Sequence, residues 1–474
     1  MQELNSLFQK HTGKANPLIE ALPSSGSNRR YYRLTSGNIS LIGVYGQSKE
    51  ENYAFIELAK HFHSQKLNVP RVFKVSNDLH YYLQEDLGDA VLFDAIEAGR
   101  RTGVFSHEEI ELLHKTIAKL ADFQVEAAKG LNFDVCYPQP EFNERSVYWD
   151  LNYFKYSFLK TTGMEFQEDL LENDFQRMTQ KLLEDKTDTF LYRDFQSRNV
   201  MLIDGEPYFI DFQGGRKGPV YYDVASFLWQ AKANFPDELR YELIDTYIKA
   251  LNKHYPVDKD YFLEQLRHFV LFRTLQVLGA YGFRGYFEKK PHFLQSVPFA
   301  LNNLREILKT DFPEYPYLCE MMHEMINLKQ FTDTQKDELE VRVVSFAYKK
   351  GIPSDPSGNG GGYVFDCRAI NNPGKFERFN NVTGLDEPVI EFLKEDGEMD
   401  VYLESIYKLV DSHVKRYMDR SFTNLMVSFG CTGGQHRSVY ASQNVAEHIS
   451  EKFGVKVSLI HREQNLEQAF KKRK

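Results

Sequence analysis

Apolar residues at helical spacing open the chain. Leu4, Leu7 and Phe8 share one face of a short amphipathic helix expected over 2–12. The period then changes to two. Alternating Tyr and Arg over 29–34, a Ser36-Gly37-Asn38 turn and an apolar run over 39–45 predict a hairpin. A helix is expected over 50–64, carried by Tyr53, Phe55, Ile56, Leu58 and Phe62. An apolar strand over 79–83 leads into Glu85-Asp86-Leu87-Gly88, and a long helix covers 107–128. Two short apolar strands flank the turn Asp204-Gly205, and helices follow to about residue 328. A short polar stretch at 327–337 marks a boundary, so residues 1–330 and 338–474 read as two domains. Beyond it strands (342–348, 363–368, 424–430, 455–460) alternate with helices (399–418 and from Val439). That alternation predicts an α/β unit with a mainly parallel sheet, with ligands at the carboxyl ends of its strands.

Composition narrows the class. A length of 474 residues accommodates two or three domains with ample core, and a net charge of −9 argues against general nucleic-acid affinity. Cys136, Cys319, Cys367 and Cys431 are scattered, which fits a reducing compartment rather than a disulfide framework. Neither a signal-type start nor an apolar run long enough for a membrane span is present, so a cytoplasmic protein is expected.

The chemistry concentrates in Leu191-Tyr192-Arg193-Asp194-Phe195-Gln196-Ser197-Arg198-Asn199, followed by a strand–turn–strand ending at Asp211. Phosphoryl transfer from ATP requires a carboxylate that takes the proton of an attacking hydroxyl. It also requires an amide oxygen and a second carboxylate that hold Mg²⁺. Asp194 fits the first role, and Asn199 and Asp211 fit the second. Arg198 joins Asp194 as a catalytic candidate. Upstream, the small residues Ser25, Gly26, Ser27 and Asn28 let backbone N–H groups approach phosphates, with Arg29, Arg30 or Arg33 adding charge. Tyr148, Trp149, Tyr153 and Tyr156 are expected mainly in the core. Asp223 reads equally as a helix cap or a catalytic group, and Arg273 and His268 read as structural.

Asp211-Phe212-Gln213, Gly218-Pro219 and Tyr222-Asp223 together resemble the aminoglycoside phosphotransferase-like kinases over roughly 20–320. The similarity is strongest to anomeric kinases of N-acetylmuramate and N-acetylglucosamine. The resemblance implies a bilobal protein-kinase-like α+β fold, with an antiparallel N-lobe sheet and a mostly helical C-lobe. It also implies ATP and Mg²⁺ as cofactors, phosphorylation of a sugar at C1, and a hinge in which the backbone of Glu85 and Leu87 reads adenine. The chain departs from the pattern at Tyr192, where the superfamily has His, and in lacking a Lys on the second strand of the hairpin.

In the second domain Cys431-Thr432-Gly433-Gly434-Gln435-His436-Arg437-Ser438 follows a strand and opens a helix, which makes an anion site. The spacing Cys-x5-Arg-Ser also belongs to cysteine-dependent phosphatases. Asp366-Cys367-Arg368, Thr383-Gly384-Leu385-Asp386 and the Cys431–Ser438 loop resemble the C-terminal domain of the RapZ RNase adapters over about 342–474. That resemblance implies a hexosamine phosphate ligand held by Asp366, Arg368, Cys431, Thr432, Gly433, Gly434, His436, Arg437 and Ser438. It leaves RNA open as a partner through the basic Lys471–Lys474 tail. The His that follows Asn-Pro in that family is missing after Asn372-Pro373. Three functions follow: a sugar kinase with a sensing domain, a kinase-like adapter, or a kinase joined to a Cys431-dependent phosphatase.

Overall fold

Period-two alternation in the first hundred residues builds a five-stranded antiparallel sheet. Its strands are β1 (Leu18–Ala21), β2 (Arg30–Ser36), β3 (Ile39–Tyr45), β4 (Val72–Val75) and β5 (Tyr81–Glu85), in the order β1-β2-β3-β5-β4. In this computed structural model residues 1–22, 29–185, 188–328, 331, 339–357, 362–419 and 422–470 are described. Side chains alternate across the sheet, and the two faces carry different helices. Leu34, Leu41 and Leu83 pack on Leu4, Leu7 and Phe8 of α1 (Gln2–Thr12). Ile42, Val44 and Tyr82 face the other way, into the core shared with Phe55, Ile56 and Phe62 of α2 (Lys49–Ser64). Ser48 caps α2, its hydroxyl accepting from the Glu51 N–H at 3.1 Å.

Helices dominate the rest of this unit, which runs from Met1 to Thr332. The His107–Ala128 helix starts in a Ser106/Glu109 capping box. Two small antiparallel ladders sit among the helices. One pairs β6 (Thr189–Leu191) with β9 (Arg216–Gly218). The other pairs β7 (Val200–Ile203) with β8 (Glu206–Phe209). Asp204 (φ +50°) and Gly205 (φ +75°) form the tight turn of the second ladder, where two positive φ values match the twist of a two-residue hairpin.

The second unit, Asp333–Lys474, has its own core. Its sheet has the order β11-β12-β10-β13-β14, from β10 (Glu340–Ala347), β11 (Tyr363–Asp366), β12 (Asn424–Cys431), β13 (Lys456–His461) and β14 (Leu466–Phe470). The first four strands are parallel, and β14 adds an antiparallel edge that the sequence pattern did not announce. Among the described residues no helix is long and apolar enough to cross a membrane. All four cysteines are free and buried.

Candidate active site

The β7–β8 register brings the polar residues of the first unit together. Val200 pairs with Phe209, and the ladder continues as the Ile210 N–H donates to the Asn199 carbonyl at 3.0 Å. Asn199 and Asp211 therefore leave the same end of one hairpin. The Asn199 amide nitrogen donates to the Asp194 carbonyl at 2.9 Å and lies 3.5 Å from Asp211 Oδ2. Burial raises the Asp211 carboxyl above its ordinary pKa. The Gln213 amide, donating at 2.7 Å, opposes that rise, the Asp194 charge adds to it, and Arg29 opposes it again. A desolvated carboxylate beside a second carboxylate is a place where a divalent cation lowers the free energy. Among the described residues no three His, Cys, Asp or Glu side chains gather as a metal site by themselves. A Mg²⁺ site of one Asp and one Asn completed by phosphate oxygens needs no such cluster. The residues present fit that ion. Arg193 (φ +78°) and Asp211 (φ +67°) both hold left-handed backbone, which costs side-chain-bearing residues roughly 1–3 kcal/mol each and collects at functional sites.

Two residues assigned no chemistry, or only an ambiguous role, in the sequence complete this hairpin. Arg273, expected to be structural, reaches from the Lys259–Gly282 helix to within 3.5 Å of Asp194 Oδ1, while its Nε donates to Ser226 Oγ at 3.1 Å. Asp223 does not cap its helix, Tyr221–Leu228, which has Val220 at the N-cap position and no side-chain cap. Its carboxylate instead accepts from the backbone N–H groups of Tyr192 (2.7 Å) and Arg193 (2.8 Å) and from the Gln124 amide (2.8 Å). Burial pushes this carboxyl up to about 7, against the pull of those donors. Asp223 is thus a positioning residue for the loop that carries Asp194. Tyr192 fills the place expected of His: it is fully buried, and its hydroxyl donates to the Ile210 carbonyl, tying the loop to the start of the Asp211 segment. Arg198 is exposed and stacks its guanidinium 4.4 Å over the Phe93 ring, so the cation touching Asp194 is Arg273.

The N-lobe candidates separate by strand parity. Ser25, Gly26, Ser27 and Asn28 lie outside the described residues. Arg29 precedes β2 on the α2 face. It is 3% exposed, donates to the Glu51 carbonyl at 3.1 Å, lies 3.4 Å from the Glu51 carboxylate, and acts electrostatically on Asp211. Phe212 stacks on Phe55 of the same helix (4.9 Å, 8°), which joins the Asp211 segment to α2. Arg30 points to the opposite face, with Leu4, Tyr32, Tyr45 and Tyr81. Arg33 is engaged at the hinge turn, with Asp86 and Asp89 each at 2.8 Å. Of the three arginines, only Arg29 sits beside Asp211. The Glu85 N–H donates to the Arg71 carbonyl at 2.9 Å, so it is already engaged within the sheet, and Leu87 is 8% exposed.

The aromatics at 148–156 correct the core expectation. Trp149 is 45% and Tyr156 51% exposed. With Asp150, Tyr153 and Arg193 they line an open cavity of about 460 Å³. Below it the Arg193–Asp150 ion pair (2.9 Å) leaves Arg193 Nη1 and Asp150 Oδ2 buried without partners.

In the second unit the glycine-rich loop leaves β12 and opens the Arg437–Phe453 helix. Thr432 and Gly433 are exposed at its tip. Gly434 (φ +68°) passes so close to the Ala347 nitrogen that a Cβ would stand 2.9 Å away. Arg437 is 4% exposed. Its Nη1 donates to the carbonyls of Arg368 (3.0 Å) and Ile370 (2.8 Å), and its Nε is buried without a partner. The His436 ring lies 3.0 Å from the Phe379 carbonyl. Asp366 and Arg368 pair with each other at 2.6 Å, and Arg368 stacks over Tyr348. The Cys431 thiol is buried, 3.1 Å from the Ser438 hydroxyl, and accepts from the Gly434 N–H at 3.2 Å. The sulfur therefore sits at the base of the loop, with Arg437 turned onto backbone carbonyls beside it. The basic tail Lys471–Lys474 lies outside the described residues.

A five-stranded antiparallel sheet followed by a helical region that carries the Asp194–Asn199–Asp211 hairpin gives the first unit a kinase-like fold. The profile of the phosphotransferase enzyme family matches residues 19–261, just over half of the chain, and that of the RapZ C-terminal domain matches 339–465. The chain belongs to the phosphotransferase enzyme family. A nucleotide-binding protein of Xylella fastidiosa strain M12 is 35% identical over 134 residues, 28% of this chain and 44% of that protein. One from Histophilus somni strain 2336 is 36% identical over 143 residues, 30% of this chain and 48% of that protein. The chain thus spans less than half the length of these curated relatives. Among solved structures, choline kinase from Cryptosporidium parvum Iowa II is 10% identical, covering 70% of this chain and 99% of its own (TM-score 0.45). A thermostable mutant of aminoglycoside phosphotransferase APH(4)-Ia is 16% identical, covering 65% and 98% (TM-score 0.42).

Proposed function

We propose that the first unit transfers the γ-phosphoryl group of ATP to a sugar hydroxyl, at C1 of N-acetylmuramate or N-acetylglucosamine in cytoplasmic cell-wall sugar salvage. The observation that carries this reading is the Asp194–Asn199–Asp211 hairpin braced by Arg273. Asp194 accepts the proton of the attacking hydroxyl while its oxygen bonds to phosphorus and ADP departs. Arg273 fixes the direction of the Asp194 carboxylate. The Asn199 oxygen and the Asp211 carboxylate are the ligands for Mg²⁺, which when bound offsets the triphosphate charge. Arg29, held by Glu51, takes the place of the missing strand Lys against the phosphates. ATP turnover over N-acetylmuramate, N-acetylglucosamine, glucosamine and an aminoglycoside, with phosphorus NMR of the product, tests this. A 1-phosphate lost in Asp194→Asn supports it, and no turnover with either N-acetyl sugar overturns it.

The second unit we assign to a hexosamine phosphate. The support is the unpartnered, buried Nε of Arg437 at the first turn of a 17-residue helix. Calorimetry of the full chain with glucosamine-6-phosphate tests this assignment, and absence of heat with every hexosamine phosphate would overturn it.

A further inference from the structure

Three cations gather beside the loop that carries Asp194. Arg100 and Arg198 both lie over the ring of Phe93, at 3.3 and 4.4 Å from its centre. Arg100 is fixed there by its Nε–H donating to the Phe93 carbonyl at 2.9 Å. The Phe93 segment is itself tied to the catalytic hairpin, since the Leu202 N–H donates to the Ala90 carbonyl at 2.8 Å and Val91 bridges Met201. The third cation is Lys232. Its loop is pinned on both sides: Gln230 Oε1 accepts from the Ser197 hydroxyl at 2.8 Å, and the Asn234 amide donates to the Arg100 carbonyl at 3.1 Å.

Among the described residues none of the three has a carboxylate within 4 Å. The acidic groups that act on Arg100 are Glu97 of its own helix, Asp94 of the helix before and Glu109 of the helix after. Glu109 is already engaged with the N–H groups of Gly99 and Ser106. Burial lowers the Lys232 pKa, and Arg198 and Arg100 lower it further. Like charges brought together by fixed backbone contacts destabilise the free protein, and an anion removes that cost. Arg198 stands four residues after Asp194, and both Arg198 and the Asp194 partner Arg273 act on Tyr281. The triphosphate cation Arg29 belongs to a different neighbourhood, at Glu51 and Asp211.

We propose that Arg100, Arg198 and Lys232 form an anion subsite for the phosphate acceptor, so that the preferred acceptor is a hydroxyl compound bearing a carboxylate. This rests on the kinase reading of Asp194 and narrows it: a sugar acid is preferred over its neutral analogue, and a polycationic acceptor is excluded. Arg198 is thereby a specificity residue rather than part of the proton-transfer machinery.

The test compares N-acetylmuramate with its neutral methyl ester as acceptors for the full chain. The acid is expected to have a kcat/KM about tenfold higher, the scale of one charge-assisted hydrogen bond. In Arg198→Gln and Lys232→Gln the KM for the acid should rise until the preference disappears, with the KM for ATP unchanged. Equal use of acid and ester by the wild type overturns the subsite, and so does a rise in the KM for ATP alone. Calorimetry with N-acetylmuramate and with inorganic phosphate covers the case of no turnover. Binding lost in the Arg198→Gln/Lys232→Gln double variant keeps the subsite and sinks the sugar-kinase reading. Equal binding to both proteins, or none to either, sinks the subsite.

Discussion

The loop that carries Asp194 and the loop that carries Arg437 both follow a buried strand, yet they display groups of opposite charge. The first gathers two carboxylates and an amide on a hairpin, two of its residues in left-handed backbone, with Arg273 as the cation in contact with Asp194. The second has no carboxylate within its turn. It offers an exposed Thr432-Gly433 tip, a helix start and a guanidinium with one nitrogen unsatisfied. A place at a strand end thus leaves the ligand open; the sign of the uncompensated charge narrows it, because an unpaired buried charge is costly.

The largest expected effect separates the two loops outright. Asp194→Asn should lower kcat by about 10³-fold through loss of the proton acceptor, read as ATP consumption by phosphorus NMR. Glucosamine-6-phosphate binding should be unchanged, and if it weakens, the independence of the two loops is broken. A second prediction concerns the buried His461, whose pKa burial lowers to about 4 and whose ring lies 2.9 Å from the Ser345 hydroxyl. The unfolded chain takes up this proton near pH 6.5 and the folded unit only near 4. Stability of the second unit should therefore fall as pH drops between those values, by up to about 3 kcal/mol, and change no further below. Both tryptophans, Trp149 and Trp229, lie in the first unit. Hydrogen exchange of the second unit is thus the measurement, with His461→Asn expected to flatten the profile.

Arg29→Ala should lower kcat/KM for ATP by about 10²-fold, on the scale of a lost buried phosphate contact. Arg30→Ala, on the opposite face of the sheet, should leave kinetics unchanged. Equal losses in both would refute the assignment by strand parity. The smallest effect is expected at Gly434→Ala. The new Cβ meets backbone at 2.9 Å in a left-handed conformation, and the second unit should lose about 1–2 kcal/mol in urea unfolding, with kinase kinetics intact.

What could be read from the chain followed its local geometry. Asp194, Asn199 and Asp211 are brought together by a loop of known length and a two-residue turn, so spacing alone located them. Arg29, Arg30 and Arg33 were indistinguishable as a string of cations. Only the sheet showed that one faces α2, one faces α1 and one closes the hinge turn. The aromatics at 149 and 156 have helical spacing that fits a core stripe, but the helix docks with those residues outward.

The order of the two units, the hairpin that groups Asp194, Asn199 and Asp211, and the glycine-rich loop that opens a helix were all legible in the chain, because each depends on residues close to one another in sequence. Tertiary structure alone decided that Asp223 holds the catalytic loop from 30 residues away, that Arg273 meets Asp194 across 79, and that Arg100, Arg198 and Lys232 converge. Those contacts depend on how helices dock, and docking is set by the apolar faces of the helices. The polar residue that each helix carries toward the site leaves no periodic mark in the chain.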